Sequence, residues 1–484
     1  RSNSEKEKLD SFLADVSSRI TALSRSAQKL MLGDFALAVN HLLSKGVSLD
    51  EALRRLDGKN LEGFYLYPAK EWFPLDNAAK AYPFSMKHDQ MPMFRLSCYL
   101  KDYVEPEILQ VALLFTIQRF PSFATTLKKG FFWHYLDATK RHFNIENEQY
   151  LPCKSINVGM TGSQSFRVVY YRKRISVEFF HVLTDGSGGM VFLKTLVSQY
   201  LRLLGHEFTP EKGVLDTREP YKPSEVANEF AEAELKRGIS GFMGSPAVQM
   251  SGKIERVRPY AILHFCMDTA SLKEVCRRYE CTVTAYILAC MMLSIRHSTE
   301  GVSGSVKIQV PINMRKFNGS DTLRNYSMYF NVDATLGDIR NKEEMISIIK
   351  QQLSERSRRE EMEKMMSTTI KMVSSLKYIP LSLKAPVASI GYGYMGDSLF
   401  TSCLSNLGVV EMPEELAEFV DMFDFVLGVS PTNRAACALV TYGSNAVLSI
   451  TKNTKDPLFE EKMYELLTDD GVVLSVNGSM ENED

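Results

Sequence analysis

The stretch RISVEFFHVLTDGSGG, residues 174–189, decides how this chain is read. A β-patterned run ends on His181, Asp185 follows four residues later, and the chain then turns glycine-rich. One reading is a strand end, a turn and a helix cap, with a histidine that falls there by chance; an acid just before glycine is an ordinary cap. The other is a catalytic base delivered by a strand and held by the acid behind it. The rest of the chain has to choose.

With 484 residues the chain exceeds the size of one comfortable core, so two large units are expected. Its 45% hydrophobic and 24% charged residues are the mix of an ordinary globular protein. Lys plus Arg number 57 against 58 Asp plus Glu, which gives no long-range pull toward nucleic acid or an anionic membrane. Such partners would need a local patch, and the short KRHF at 140 and YRKR at 171 read as solvated strand ends or loops. TAYILACMMLSI, 284–295, falls well short of the roughly 20 residues of a membrane span and reads as a buried helix. The opening RSNSEKEKLD lacks a hydrophobic signal core and an initiator Met, and is read as a trimmed start, not a secreted precursor. Eight scattered cysteines with no CxxC pair suggest reduced thiols, not a disulfide frame or a zinc site. A cytoplasmic location follows as the expectation, and the sequons at Asn318, Asn325 and Asn477 then carry no meaning.

Residues 1–60 form an expected N-terminal helical arm: LDSFLADVSSRITAL repeats apolar positions at helical spacing, and SLDEALRRL opens on a Ser cap with an acidic first turn. A first αβ unit spans 61–205, with strand FRLSCYLK, helix EPEILQVALLFTIQRFP, strand VVYYRKRISVEFFH, and a helix over 188–205 that stops at a glycine. Polar residues 206–258 read as a crossover. A second unit, 259–484, repeats the texture with YAILHFCMD, a buried helix, VKIQVPINM, EEMISIIKQQLSERSRRE, SLFTSCLSNLGVV and AACALVTYGSNAVLSITK. Two similar αβ halves would enclose a cleft.

Other motifs fail on context. GYGYMG, 391–396, satisfies GxGxxG, and Glu411 lies where a ribose-binding acid would, but the Ser- and Thr-rich DSLFTSCLSNL after it is strand-like where a helix is required. GDSL, 396–399, matches a hydrolase block, yet no histidine follows His297. GSGG, 186–189, lacks the GK[ST] ending of a phosphate loop, and no HExxH or other ligand cluster supports a metal.

HVLTDG, 181–186, resembles the HxxxDG motif of the chloramphenicol acetyltransferase-like superfamily, which includes plant BAHD acyltransferases, alcohol acetyltransferases and peptide-synthetase condensation domains. LQVALLFTIQRFPSF (109–123), CTVTAYILACMMLSI (281–295), VPINMR (310–315) and TSCLSNLGVVEMP (401–413) resemble further blocks of that superfamily, in its order, so the resemblance spans about 61–480. The alcohol acetyltransferase and condensation branches are nearest. Two departures matter: Phe180 stands where condensation domains usually carry a second histidine, and the DFGWG block of the plant branch is missing.

The resemblance implies two αβ sandwich halves with a channel between them, and transfer of an acyl group from a CoA thioester to a hydroxyl or amine. His181 would be the general base, matched to the task by an unperturbed pKa of about 6.5. Asp185 would point away from substrate and pair bidentately with Arg315, holding the loop, with Gly186 permitting its geometry. Ser402, Ser405 and Asn406 are candidate oxyanion donors. Acyl-CoA would be a cosubstrate with no tightly bound cofactor or metal; the acceptor would be a small alcohol or amine. Two alternatives stay open, a carrier-protein-dependent condensation or release enzyme and a non-catalytic binding relative of the same fold. KMVSSLKYIPLSLK and MYFNVDA would line a channel or pack a core.

Overall fold

The computed structural model describes residues 3–478 apart from 62, 87–90, 158–163, 231–244, 257, 300, 392–396, 429 and 431. Helices Asn3–Arg19, Arg25–Ser44 and Leu49–Arg55 open the chain. Ser24 and Ser48 cap the second and third by accepting from the N–H of Ala27 and Glu51. Met31, Phe35 and Val39 recur at helical spacing and are fully buried. Phe35 meets Phe115 of helix Pro106–Ile117 edge-on at 5.7 Å. Arg55 reaches the last turn of a distant helix through Leu204 O at 2.6 Å. The arm is thus part of the first core.

Strands β1 (Trp72–Pro74), β2 (Met93–Leu100), β3 (Thr125–Lys129), β4 (His134–Ala138), β5 (Ile145–Asn147), β6 (Phe166–Tyr171) and β7 (Arg174–Phe180) come next. After the crossover follow β8 (Ala261–Asp268), β9 (Ser305–Asn313), β10 (Ser327–Thr335), β11 (Ser402–Val409), β12 (Val420–Leu427), β13 (Ala435–Tyr442), β14 (Asn445–Lys452) and β15 (Leu474–Gly478). They form a five-stranded sheet in the order β12-β2-β7-β6-β5, a seven-stranded sheet β10-β9-β11-β13-β14-β8-β15, and a small sheet β1-β4-β3. β12 belongs to the C-terminal stretch yet pairs with β2, Phe425 opposite Leu96. That exchange ties the two lobes together.

Strand β7 is buried along its whole length, because its two faces meet different layers. Val177 and Phe179 pack on the helical layer, where Phe192 of helix Gly186–Leu204 meets Phe179 at 5.9 Å and Phe120 at 4.9 Å. Each such ring contributes about 1.5–3 kcal/mol by burial. The alternate residues Arg174, Ser176 and Glu178 face the other lobe. Glu178 is fully buried between Arg95, 2.8 Å away, and Arg167. Arg174, expected in the solvated YRKR stretch, is instead 5% exposed and pairs with Glu148. A short charged run can be buried when its strand partners supply the counter-charges.

The C-terminal half holds helices that the sequence patterning missed, Arg359–Ser375 and Leu381–Gly391. KMVSSLKYIPLSLK spans the end of the first, the turn between them and the start of the second, and its Met372, Tyr378 and Leu383 are exposed, so they are not core. MYFNVDA is β10, with Met328, Phe330 and Val332 in the second core. The glycine motif at 391 lies, beyond Gly391, outside the described residues. All eight cysteines are free, and no described helix is long and apolar enough to cross a membrane.

Candidate functional site

His181 stands where β7 ends, its N–H donating to Pro92 O at 3.0 Å. Its ring stacks on Tyr82, 4.7 Å between centroids and 29° apart, and meets Phe94 edge-on at 5.1 Å. Nδ1 lies 2.8 Å from Asn325 Oδ1. The Asn325 amide donates to His181 O at 2.9 Å and to Asp76 Oδ2 at 3.3 Å. Both of those partners are acceptors, so the amide nitrogen must face them and its oxygen must face the imidazole. Nδ1 therefore carries the proton, and the lone pair is on Nε2. Burial lowers the His181 pKa, opposed by Asp185, Asn325 and Asp76, so the ring is held neutral.

Asn325 was named in the sequence only as a sequon. It is 3% exposed, closed to any glycan, and it orients His181. Tyr82 and Asp76 were also missed, since they lie about a hundred residues upstream with no periodicity of their own.

Asp185 caps helix Gly186–Leu204, its Oδ1 accepting from Gly188 N at 3.0 Å. Its Oδ2 accepts from Arg315 Nη1 and Tyr326 N at 2.8 Å and from Ser327 Oγ at 2.9 Å. Burial pushes this carboxyl up, but the Arg315 guanidinium and these hydrogen bonds outweigh it and hold it below the ordinary carboxylate range. The cap and the ion pair are one residue. The pair is not bidentate as expected. Arg315 gives Asp185 a single nitrogen and spends the others on Thr322 O at 2.7 Å and Arg324 O at 2.5 Å. It staples the 322–324 loop, next to Asn325, against the His181 turn.

Close approach is demanded at Gly188 more than at Gly186. A Cβ on Gly188 would lie 2.3 Å from Leu323 O, whereas on Gly186 it would meet only a Leu407 methyl at 2.8 Å. The expected oxyanion donors separate by strand alternation. Ser402 is buried and donates to Ala435 O at 2.9 Å, and Asn406 donates to Thr284 Oγ1 at 2.9 Å. Both share a face with Leu404, in the second core. Ser405 pairs with Ala438, which packs in the first core, so Ser405 points toward the first lobe. Its hydroxyl has no hydrogen-bond partner among the described residues.

Between the sheets, β12 supplies Asp424, which accepts from Tyr99 at 2.7 Å and lies 4.0 Å from His264 of β8. Burial lowers the His264 pKa, although Asp424 opposes it. Among the described residues no three His, Cys, Asp or Glu side chains converge as a metal site.

No family model and no curated protein matches the sequence. Solved structures do match the fold. The trichothecene 15-O-acetyltransferase TRI3 of Fusarium sporotrichioides superposes with a TM-score of 0.56 at 12% identity, covering 82% of this chain and 94% of that one. F. graminearum TRI101, solved with coenzyme A and deoxynivalenol, gives 0.54 at 11% identity over 83% and 98%. The first condensation domain of the calcium-dependent antibiotic synthetase gives 0.54 at 10% identity over 84% and 100%. At such identities the likeness speaks for the fold. The chain therefore has the two-lobed chloramphenicol acetyltransferase-like fold shared by these acetyltransferases and condensation domains.

Proposed function

We propose that this protein transfers an acyl group from a CoA thioester to a hydroxyl, or an amine, with His181 as general base. The observation that carries the reading is the Nδ1 contact to Asn325 Oδ1, which leaves Nε2 as a neutral, oriented proton acceptor. An alcohol ionises far above neutral pH, so a base in reach contributes roughly 100- to 10,000-fold. Nε2 takes the acceptor's proton as its oxygen attacks the thioester carbonyl. When the tetrahedral intermediate collapses, the C–S bond breaks and the proton passes to the departing thiolate, which leaves as the thiol. Ser405 is the candidate donor to the oxyanion. Asp185 and Arg315 hold the loop and carry no proton. Coenzyme A bound to TRI101 supports CoA as cosubstrate, and Phe180 in place of a second histidine favours simple transfer over peptide condensation.

The test is thiol release from a panel of acyl-CoAs with pooled alcohols and amines, comparing wild type with a folded His181→Ala variant. Release that needs an acceptor and falls at least about 100-fold in the variant is expected. Equal rates in both proteins would sink the role of His181.

A further inference from the structure

The hairpin between β3 and β4 projects Phe131 and Phe132, 72% and 38% exposed. The 372–383 segment lies against it, Leu381 N donating to Phe131 O at 2.8 Å. That segment exposes Met372, Tyr378, Ile379 and Leu383, Tyr378 at 77%. Single exposed apolar side chains are ordinary, but a set on two touching segments marks an interaction surface. Tyr378 and Phe131 are also the most exposed large hydrophobic side chains among the described residues. Both stand out as tips.

Along the two segments themselves, from the end of β3 through the hairpin tip and over 372–383, the charged side chains are all basic. No Asp or Glu occurs between Glu107 and Asp137, or between Glu363 and Asp397. Lys129, Lys371 and Lys377 are exposed on these segments. The chain as a whole carries a net charge of −1, so this positive surface is local and invisible in the composition. It also adjoins the His181 end. The short helix Ala79–Ser85 carries Tyr82, stacked on His181, and Lys80, whose Nζ lies 5.4 Å from the Trp133 ring of the hairpin. Lys384 sits over the same ring at 3.2 Å.

Protruding aromatic and aliphatic tips insert at headgroup level, while lysines beside them are drawn to anionic lipid. We propose that this face docks on an anionic phospholipid bilayer, setting the His181 end of the protein against the lipid. The docking stands by itself; that a lipid-soluble acceptor or acyl donor then reaches His181 from the bilayer rests on the acyl-transfer reading.

The test is flotation of the full chain with vesicles of phosphatidylcholine alone and with roughly 30% phosphatidylserine added. Two variants accompany it, Phe131→Ser/Tyr378→Ser/Leu383→Ser and Lys129→Glu/Lys377→Glu, with thermal melts to show that both fold. Wild type is expected to float with the anionic vesicles and to be released by about 0.5 M salt. A surface lysine contributes roughly fivefold in partition, so reversing two should weaken binding at least about 25-fold. Failure of wild type to float, or equal flotation of wild type and folded variants, overturns the proposal. Retention on polyglutamate resin without vesicle binding assigns the face to an acidic protein and also overturns it. Flotation with no acyl transfer under any condition leaves the docking in place and sinks the proposed function instead.

Discussion

Replacing Asn325 by alanine separates orientation of the base from its presence. The side chain is 3% exposed and makes hydrogen bonds at 2.8, 2.9 and 3.3 Å, to His181 Nδ1, His181 O and Asp76 Oδ2. At about 1 kcal/mol net for each, the variant should lose about 2–4 kcal/mol of stability, including the penalty for a buried Asp76 oxygen with one partner fewer. The catalytic loss has its own bound. Without Oδ1 the imidazole no longer has its proton pinned to Nδ1, and its ring is free to turn on Tyr82. The competent tautomer and orientation become a fraction of the population, so kcat should fall about 10- to 100-fold with KM little changed. The loss cannot exceed that of His181→Ala. Asn325→Asp is the companion: it keeps an acceptor for Nδ1–H but adds a negative charge beside the ring. The acid limb of its kcat/KM profile should move to higher pH than in wild type, where burial holds the His181 pKa below its ordinary value. The assay is thiol release across pH on proteins shown to be folded by their melts. Wild-type kcat in folded Asn325→Ala, or a loss confined to KM, would refute the argument that this amide sets the tautomer.

Asp185→Ala should cost about 3–5 kcal/mol in urea unfolding, because it strands the Arg315 charge and the N–H groups of Tyr326 and Gly188. Ser327→Ala, which removes one bond to the same oxygen, should cost only about 1 kcal/mol. Gly188→Ala should lower the melting temperature and kcat/KM more than Gly186→Ala, since backbone at 2.3 Å cannot yield as a leucine methyl can; the reverse order would contradict the packing. Stability should also fall on acidification. His181 and His264 are held below their ordinary pKa by burial, and His134 at about 4 by burial and then Lys129 and Lys384. The unfolded chain then binds more protons, and stability present above about pH 6.5 is lost as pH falls toward the folded values. Each group adds a slope of up to about 1.4 kcal/mol per pH unit. A urea midpoint unchanged between about pH 7 and pH 5 would contradict this.

Local chemistry made part of this protein readable from its residues. The β-patterned run, the acid before glycine and the ordered blocks from 109 to 413 were enough for a two-lobed αβ fold, because alternation, capping and helix stops are written within a few neighbouring residues. Local patterns drew attention to His181 and Asp185, while Arg315 was named only through the resemblance of VPINMR to the superfamily's block; the geometry brings Asp185 and Arg315 within 2.8 Å. What local patterns could not supply is contact between residues far apart. Asn325 and Asp76 meet the His181 turn from 144 residues downstream and about a hundred upstream, and no local pattern encodes a hydrogen bond across that separation. Alternation along β11 sets Ser405 apart from Ser402 and Asn406, but only the pairing of β11 with β13 decides which side faces the first lobe. The buried Arg174 and the lysine-ringed apolar face tell the same lesson. A charge is solvated, paired or gathered into a surface according to what the fold packs beside it, and that neighbour is chosen by tertiary structure.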